Sequence, residues 1–219
     1  MKFKIYLFRH AQTFYNRDHK FTGWKDYRLT PLGVMQAKKV ARSLKDKKID
    51  VAFCTRLSRS RDTLDEVLKF HPECKQVFVD DRMIERSYGK LEGKSHTHYL
   101  KDMEKKYCAV LRHWHNVDHL SRDEHSQALK MCEIDLHYLR RSYTLVPPKG
   151  ESIRMVEKRV NAFIKDLLKL MKKEKVNIAI SAHGNSMRPF RRYFEKLTVE
   201  EMMKLENPWE GYFEYEIEV

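Results

Sequence analysis

The chain opens on alternation. From Lys2 polar and apolar positions take turns, then run apolar through Tyr6, Leu7 and Phe8, and stop at Arg9-His10. A strand that begins half exposed and ends buried has this pattern. Thr30-Pro31 opens a helix, with Thr30 as N-cap and Pro31 at the first position, where its missing N–H costs nothing. Val34, Ala37, Val40, Ala41 and Leu44 then recur at helical spacing. Val51 to Cys54 is a short buried strand, Ser58 to Phe70 a helix with Leu64, Val67 and Leu68 inward, and Gln76 to Val79 another strand. Residues 95–142 read as helical and very polar. Ser152 to Lys173 is a long amphipathic helix, and Val176 to Ser181 a strand. A helix follows His183-Gly184-Asn185 and runs into Glu195, and Tyr212 to Val219 is a final strand.

Strands alternate with helices and no internal repeat or Gly/Ser linker interrupts them. The expected class is α/β with a largely parallel sheet. The expected organisation is a single domain over residues 1–219 with a helical insertion at about 102–137. Sites in such sheets form at the carboxyl ends of strands. Two strands end in a histidine motif, Phe8-Arg9-His10 and Ala182-His183-Gly184, and this topology lets them meet in one crevice.

An arginine fork recognises phosphate through two parallel hydrogen bonds. Arg9, Arg59 and Arg188 around a neutral imidazole therefore suit phosphoryl transfer through a phosphohistidine. The leaving oxygen needs a proton, and Glu85, in Ile84-Glu85-Arg86-Ser87-Tyr88-Gly89, is the candidate acid. Each motif alone has a blander reading. An Arg-His pair after a strand is more often a satisfied surface pair, and His-Gly-Asn a turn. Their conjunction in chain order is what points to chemistry.

Those residues, taken together, resemble the histidine phosphatase superfamily, and within it the cofactor-dependent phosphoglycerate mutases. The superfamily's RHG reads here Arg9-His10-Ala11. The mutase motifs follow as Phe21-Thr22-Gly23-Trp24, Leu29-Thr30-x-x-Gly33, Leu57-Ser58-Arg59-Ser60-x-x-Thr63 and Glu85-Arg86-Ser87-Tyr88-Gly89-x-Leu91-x-Gly93. Arg140-Arg141-Ser142-Tyr143 with Pro147-Pro148, Gly150-Glu151-Ser152 and Ala182-His183-Gly184-Asn185-Ser186-Met187-Arg188 complete the set. The likeness covers residues 2–101 and 138–217.

The resemblance implies a three-layer α/β/α fold and interconversion of 3-phosphoglycerate and 2-phosphoglycerate, a step of glycolysis and gluconeogenesis. It implies 2,3-bisphosphoglycerate as priming phosphoryl donor and no metal. His10 would be the phosphorylated nucleophile and Glu85 the general acid and base, with Arg9, Arg59 and His183 gripping the phosphoryl group. Asn16, Thr22, Gly23, Tyr88, Arg140, Arg141, Gly184 and Asn185 would hold the rest of the substrate. His96 stands where the mutases have a substrate-binding lysine, a role that Lys94 or a protonated His96 would take. The alternative within the superfamily is a small-molecule phosphatase.

Four departures accompany the likeness. Ala11 replaces the usual glycine, and its methyl limits backbone approach to a phosphate. The loop before Glu151 is cut to Lys149-Gly150. The chain ends at Val219 without the family's shielding tail, which predicts a larger hydrolytic side reaction. The insertion is longer and carries His113, His115, His119, His125 and His137 with Cys108 and Cys132. His115 and His119 share a helix face, but no zinc spacing appears, so a polar lid or contact surface is expected there.

Composition narrows the partners. Lys plus Arg is 44 against 31 Asp plus Glu, a net +13. This suits an anionic partner, although much of the excess is lysine on solvated helical faces. The expected partner is a small phosphorylated substrate, not nucleic acid and not a membrane, and self-association into a homo-oligomer is compatible with the chain. The apolar part of the N-terminus is too short for a signal peptide, and no run reaches the roughly 20 residues of a membrane span. A cytoplasmic location is expected, with Cys54, Cys74, Cys108 and Cys132 as free thiols.

Overall fold

The computed structural model describes residues 1–115 and 117–218. Strand β1 (Lys2–Arg9) is followed by α1 (Phe14–Arg17), α2 (Pro31–Leu44), β2 (Val51–Cys54), α3 (Ser58–Leu68) and β3 (Gln76–Val79). The helices α4 (His96–His115) and α5 (Arg122–Arg141) come next, then α6 (Ile153–Glu174), β4 (Ile178–Ala182), α7 (Gly184–Glu195), α8 (Val199–Lys204) and β5 (Phe213–Glu218).

The strands form one sheet in the order β3-β2-β4-β1-β5. The first four are parallel, and β5 runs antiparallel to β1 along its edge. Alternation along the central strands divides the core. Ile5 and Leu7 of β1 pack with Ile178 and Ile180 of β4 against α6 and α7. Tyr6 and Phe8, on the other face, pack against Val40 and Leu44 of α2 and Leu64 and Val67 of α3. The result is the expected three-layer α/β/α arrangement with a mostly parallel sheet.

The caps follow local chemistry. Thr30 Oγ1 accepts from the Gly33 N–H at 2.9 Å at the start of α2, and Ser152 caps α6 in the same way. Two short helices escape the pattern reading. A Thr13–Asn16 capping box holds α1, and a Thr198–Glu201 box holds α8; both are too short to show an apolar period. The β3 strand lies at the sheet edge with Val77 48% and Val79 58% exposed, so its apolar run does not report burial.

The polar stretch at 95–142 resolves into α4 and α5, which pack on one another in opposite directions. His115 meets Glu124 near their junction and Tyr107 meets Asp135 further back. At the far end a small apolar cluster of Phe21, Tyr88 and Leu139, with Tyr99 and Leu136 against it, joins the pair to the loops above the sheet. Arg86, fully buried, ties this junction down. It donates to the carbonyls of Leu139, Leu145 and Glu151 at 3.0, 2.9 and 2.7 Å. The last turn of α5, with Arg140 and Arg141, is thereby held over the carboxyl edge of the sheet. No helix among the described residues is long and apolar enough to cross a membrane.

Candidate active site

Neighbouring parallel strands end level. Arg9 of β1 lies beside Ala182 of β4, and the His10 N–H donates to the Ala182 carbonyl at 2.9 Å. His10 and His183 therefore leave adjacent strands one residue beyond the sheet, with ring centroids 4.9 Å apart. Thr55, just past β2, completes the row, its Oγ1 2.8 Å from His183 Nε2.

The tautomer of His10 follows from its partner. Nδ1 lies 2.8 Å from the Ala11 carbonyl, which can only accept, so Nδ1 carries the proton and Nε2 keeps its lone pair. Burial, then the charges of Arg59 and Arg9, holds the His10 imidazole well below its ordinary 6.5. Burial and then Arg59 and His10 do the same to His183. Both rings are neutral at neutral pH, the state a nitrogen nucleophile requires.

The guanidiniums beside them are buried too. Arg59 is anchored by donating to the carbonyls of Lys25 and Gly23, both at 2.8 Å, and burial pushes it down to about 10. Arg9 donates to the Asn207 carbonyl at 2.9 Å and lies 4.8 Å from the Trp209 ring centre. Arg9 Nε, Arg59 Nε and His183 Nδ1 have no protein partner although they are buried. The two guanidinium N–H groups are buried donors with no partner, and His183 Nδ1 joins them as a donor in the tautomer in which Thr55 donates to Nε2; beside a neutral imidazole they make a receptor for an anion.

Glu85 is 7% exposed, and its Oε1 accepts from the backbone N–H groups of Arg86 and Asn185 at 2.7 and 3.2 Å. One ligand atom each from His10, Glu85 and His183 falls within 4.8 Å of the others. Two imidazoles and a carboxylate could also suit a transition metal, but Arg9 and Arg59 beside them oppose a dication and favour an anion. In the helix pair His115 bonds Glu124, and Cys108 Sγ lies 3.5 Å from His125 Nδ1. No three-ligand cluster forms there among the described residues.

Above the histidines opens a cleft with a lobe of about 300 Å³. Asn16, Thr22, Tyr88, His96, Arg140 and Asn185 line this lobe together with Arg9 and Glu85. Arg141 and Gly184 line the adjoining lobe, which shares Arg9, Glu85 and Tyr88. His10, Arg59 and His183 lie buried at the strand ends. Gly23 lies behind the site. Its carbonyl holds Arg59, its φ is +54°, and an added Cβ would meet the Glu92 carboxylate at 2.0 Å. Lys94 lines neither lobe and lies 3.7 Å from Asp102. Burial, with Arg140 and His19 nearby, pushes His96 down to about 4, so it is not a cation at neutral pH.

The Ala11 methyl is fully buried, and its N–H donates to Thr63 Oγ1 at 3.0 Å. Its backbone serves the fold and the His10 tautomer, and that N–H is not offered to a phosphate.

The cleft also contains residues that no motif announced. His19, Lys20, Glu206, Asn207 and Trp209 all line it. Arg188, part of the second histidine motif, joins the Arg141 lobe. Asn207-Pro208 signals a turn in the sequence. Nothing local shows that this turn crosses the active site.

The sequence profile described as histidine phosphatase superfamily (branch 1) matches residues 5–133 and 126–216. A protein of Rhizobium meliloti named 2,3-bisphosphoglycerate-dependent phosphoglycerate mutase is 34% identical over 92% of this chain and 83% of its own. Among solved structures, a mycobacterial glucosyl-3-phosphoglycerate phosphatase superposes with a TM-score of 0.70 at 20% identity, over 99% of this chain and 90% of its own. A phosphoglycerate mutase from Bacillus anthracis does so at 0.66 and 18% identity, over 99% and 88%. The last two likenesses speak to the fold.

Proposed function

The chain is an enzyme belonging to the histidine phosphatase superfamily, and on that premise we propose that it interconverts 3-phosphoglycerate and 2-phosphoglycerate through a phosphohistidine on His10. One observation carries this reading: two anion grips open on a single cleft. Arg9 Nε, Arg59 Nε and His183 Nδ1 surround the nucleophile, and Arg140, Arg141 and Arg188 line the space beside it. A phosphatase needs only the first grip. A mutase must also hold a second anionic group while the substrate turns. The name of the Rhizobium meliloti relative agrees with this reading.

The chemistry follows from the geometry. His10 Nε2 attacks phosphorus; the N–P bond forms, the ester P–O bond breaks, and Glu85 passes its proton to the leaving oxygen. Arg9, Arg59 and His183 hold the non-bridging oxygens as charge redistributes. With His10 charged, the free 2-hydroxyl of 3-phosphoglycerate attacks the phosphorus, Glu85 takes its proton and the N–P bond breaks, giving bound 2,3-bisphosphoglycerate. This turns in the cleft and returns its 3-phosphoryl group to His10 by the first step, releasing 2-phosphoglycerate. Water in place of that hydroxyl gives hydrolysis.

2,3-Bisphosphoglycerate belongs to the same proposal. The grip around His10 fits one of its phosphates, and Arg140, Arg141 and Arg188 fit the other. When bound it supplies the phosphoryl group that charges His10. The proposal includes no metal, takes the partner to be a small phosphorylated acid, and assigns the enzyme to cytoplasmic glycolysis and gluconeogenesis.

A second reading, a small-molecule phosphatase, is favoured by a carboxylate, Glu206, already bonded to Arg141 in the second grip. One experiment separates the two. The protein is incubated with 3-phosphoglycerate, with and without 2,3-bisphosphoglycerate, and 2-phosphoglycerate and free phosphate are both followed. Isomerisation that requires the bisphosphate is expected, together with an acid-labile phosphoenzyme that His10→Ala does not form. Phosphate release without isomerisation would establish the phosphatase instead. A phosphoenzyme persisting in His10→Ala would remove His10 as nucleophile.

A further inference from the structure

The second anion grip contains a carboxylate of the chain's own. Glu206 stands in the segment between α8 and β5 and lines both lobes of the cleft. Its Oε1 lies 2.5 Å from Arg141 Nη2, a charge-assisted hydrogen bond. Burial pushes Glu206 upward, but the bond to Arg141 and the charges of Arg141, Arg188 and Arg9 outweigh it and hold the carboxyl below its ordinary range. Arg140, the other half of the pair, has no carboxylate partner among the described residues.

The backbone here is clamped and the side chain is not. Arg188 donates to the Leu205 carbonyl at 3.0 Å, Arg191 to the Glu206 carbonyl at 3.0 Å, and Arg9 to the Asn207 carbonyl at 2.9 Å. The Glu206 side chain is 75% exposed. Rotation about its own bonds carries the carboxylate into solvent without moving the main chain.

We propose that Glu206 is a specificity-determining residue that binds Arg141 in place of the ligand's second anionic group, so that a doubly anionic ligand must displace it. The inference rests on reading Arg140-Arg141 as the second grip, and not on which reaction follows. A phosphoester with no second anion has no use for Arg141 and leaves the pair intact. Glu206 thereby narrows the preference of this cleft for phosphoglycerates over simple phosphoesters.

The test is calorimetric binding of 3-phosphoglycerate and of glycerol 3-phosphate to the wild type, E206Q and E206S. Both variants change an exposed side chain, and thermal melting checks that they fold. The ratio of the two dissociation constants is expected to move about fivefold toward 3-phosphoglycerate, the upper reach of a partly exposed ion pair. An equal gain for both ligands would reduce Glu206 to a general repulsive charge. An unchanged ratio, or weaker 3-phosphoglycerate binding, would also overturn the proposal, the latter by making Glu206 a support for Arg141. All three proteins are titrated in a His10→Ala background, which forms no phosphoenzyme and so does not turn the ligands over; a missing mutase activity then counts against the proposed reaction and leaves this measurement standing.

Discussion

The two oxygens of Glu85 have different surroundings. Oε1 accepts two backbone N–H groups, from Arg86 and Asn185, while Oε2 has no hydrogen bond among the described residues. One oxygen is thus anchored and the other is available to exchange a proton near His10. If Glu85 is the acid, its contribution scales with the basicity of the leaving oxygen. Glu85→Gln is expected to slow transfer from a glycerate phosphate by about 10²- to 10³-fold, and transfer from p-nitrophenyl phosphate far less. Single-turnover rates on the two substrates check this; equal losses would mean that Glu85 positions rather than protonates. That His10, Glu85 and His183 share one site was legible from motifs because those motifs are short and contiguous. The His10 tautomer was not, because it depends on the direction of the Ala11 carbonyl.

The elements bring these residues to a common edge, and the contact between α2 and the loop after β1 is a close one. Gly33, in the first turn of α2, lies so close to the loop that an added Cβ would be 2.1 Å from the Gln12 carbonyl oxygen. That oxygen also accepts the Thr30 N–H at 2.9 Å, so it cannot withdraw without breaking its bond to the N-cap residue of α2. Gly33→Ala is expected to cost about 2–4 kcal/mol, as overpacking against backbone does, and to slow phosphoenzyme formation by shifting the loop that carries His10. Denaturant midpoints and the rate of phosphoenzyme formation check both; wild-type stability would show that the loop yields freely. The start of α2 was readable from Thr30-Pro31 because capping is local. Its contact with Gln12 was not, since glycine in a helix carries no sign of what lies over it.

At the scale of the whole molecule, buried imidazoles set the response to acid. His10 and His183 stay neutral well below 6.5, and His96 down to about 4, mainly through burial. The unfolded chain protonates these rings near 6.5. Below that pH it binds more protons than the fold, so stability declines as pH falls from 6.5 toward about 4. The melting temperature is expected to drop across this interval, before the carboxylates titrate, and His96→Asn is expected to flatten the slope. Calorimetry from neutral pH downward measures it; an unchanged slope in the variant would show that His96 is protonated in the fold.

The sequence by itself determined the strands, the long helices, the caps of α2 and α6 and the residue types at both histidine motifs. Periodicity, capping and turn chemistry act between neighbours in the chain, and a linear pattern records them. Only the tertiary structure decided what stands opposite those motifs. Arg9 bonds the carbonyl of Asn207, 198 positions away, and Arg141 bonds Glu206, 65 positions away. The segment that supplies Glu206, Asn207 and Trp209 has no period and no motif. Its place over the cleft follows from β5 returning alongside β1. Strand pairing joins distant parts of the chain, and no local pattern encodes which loop it will bring across the site.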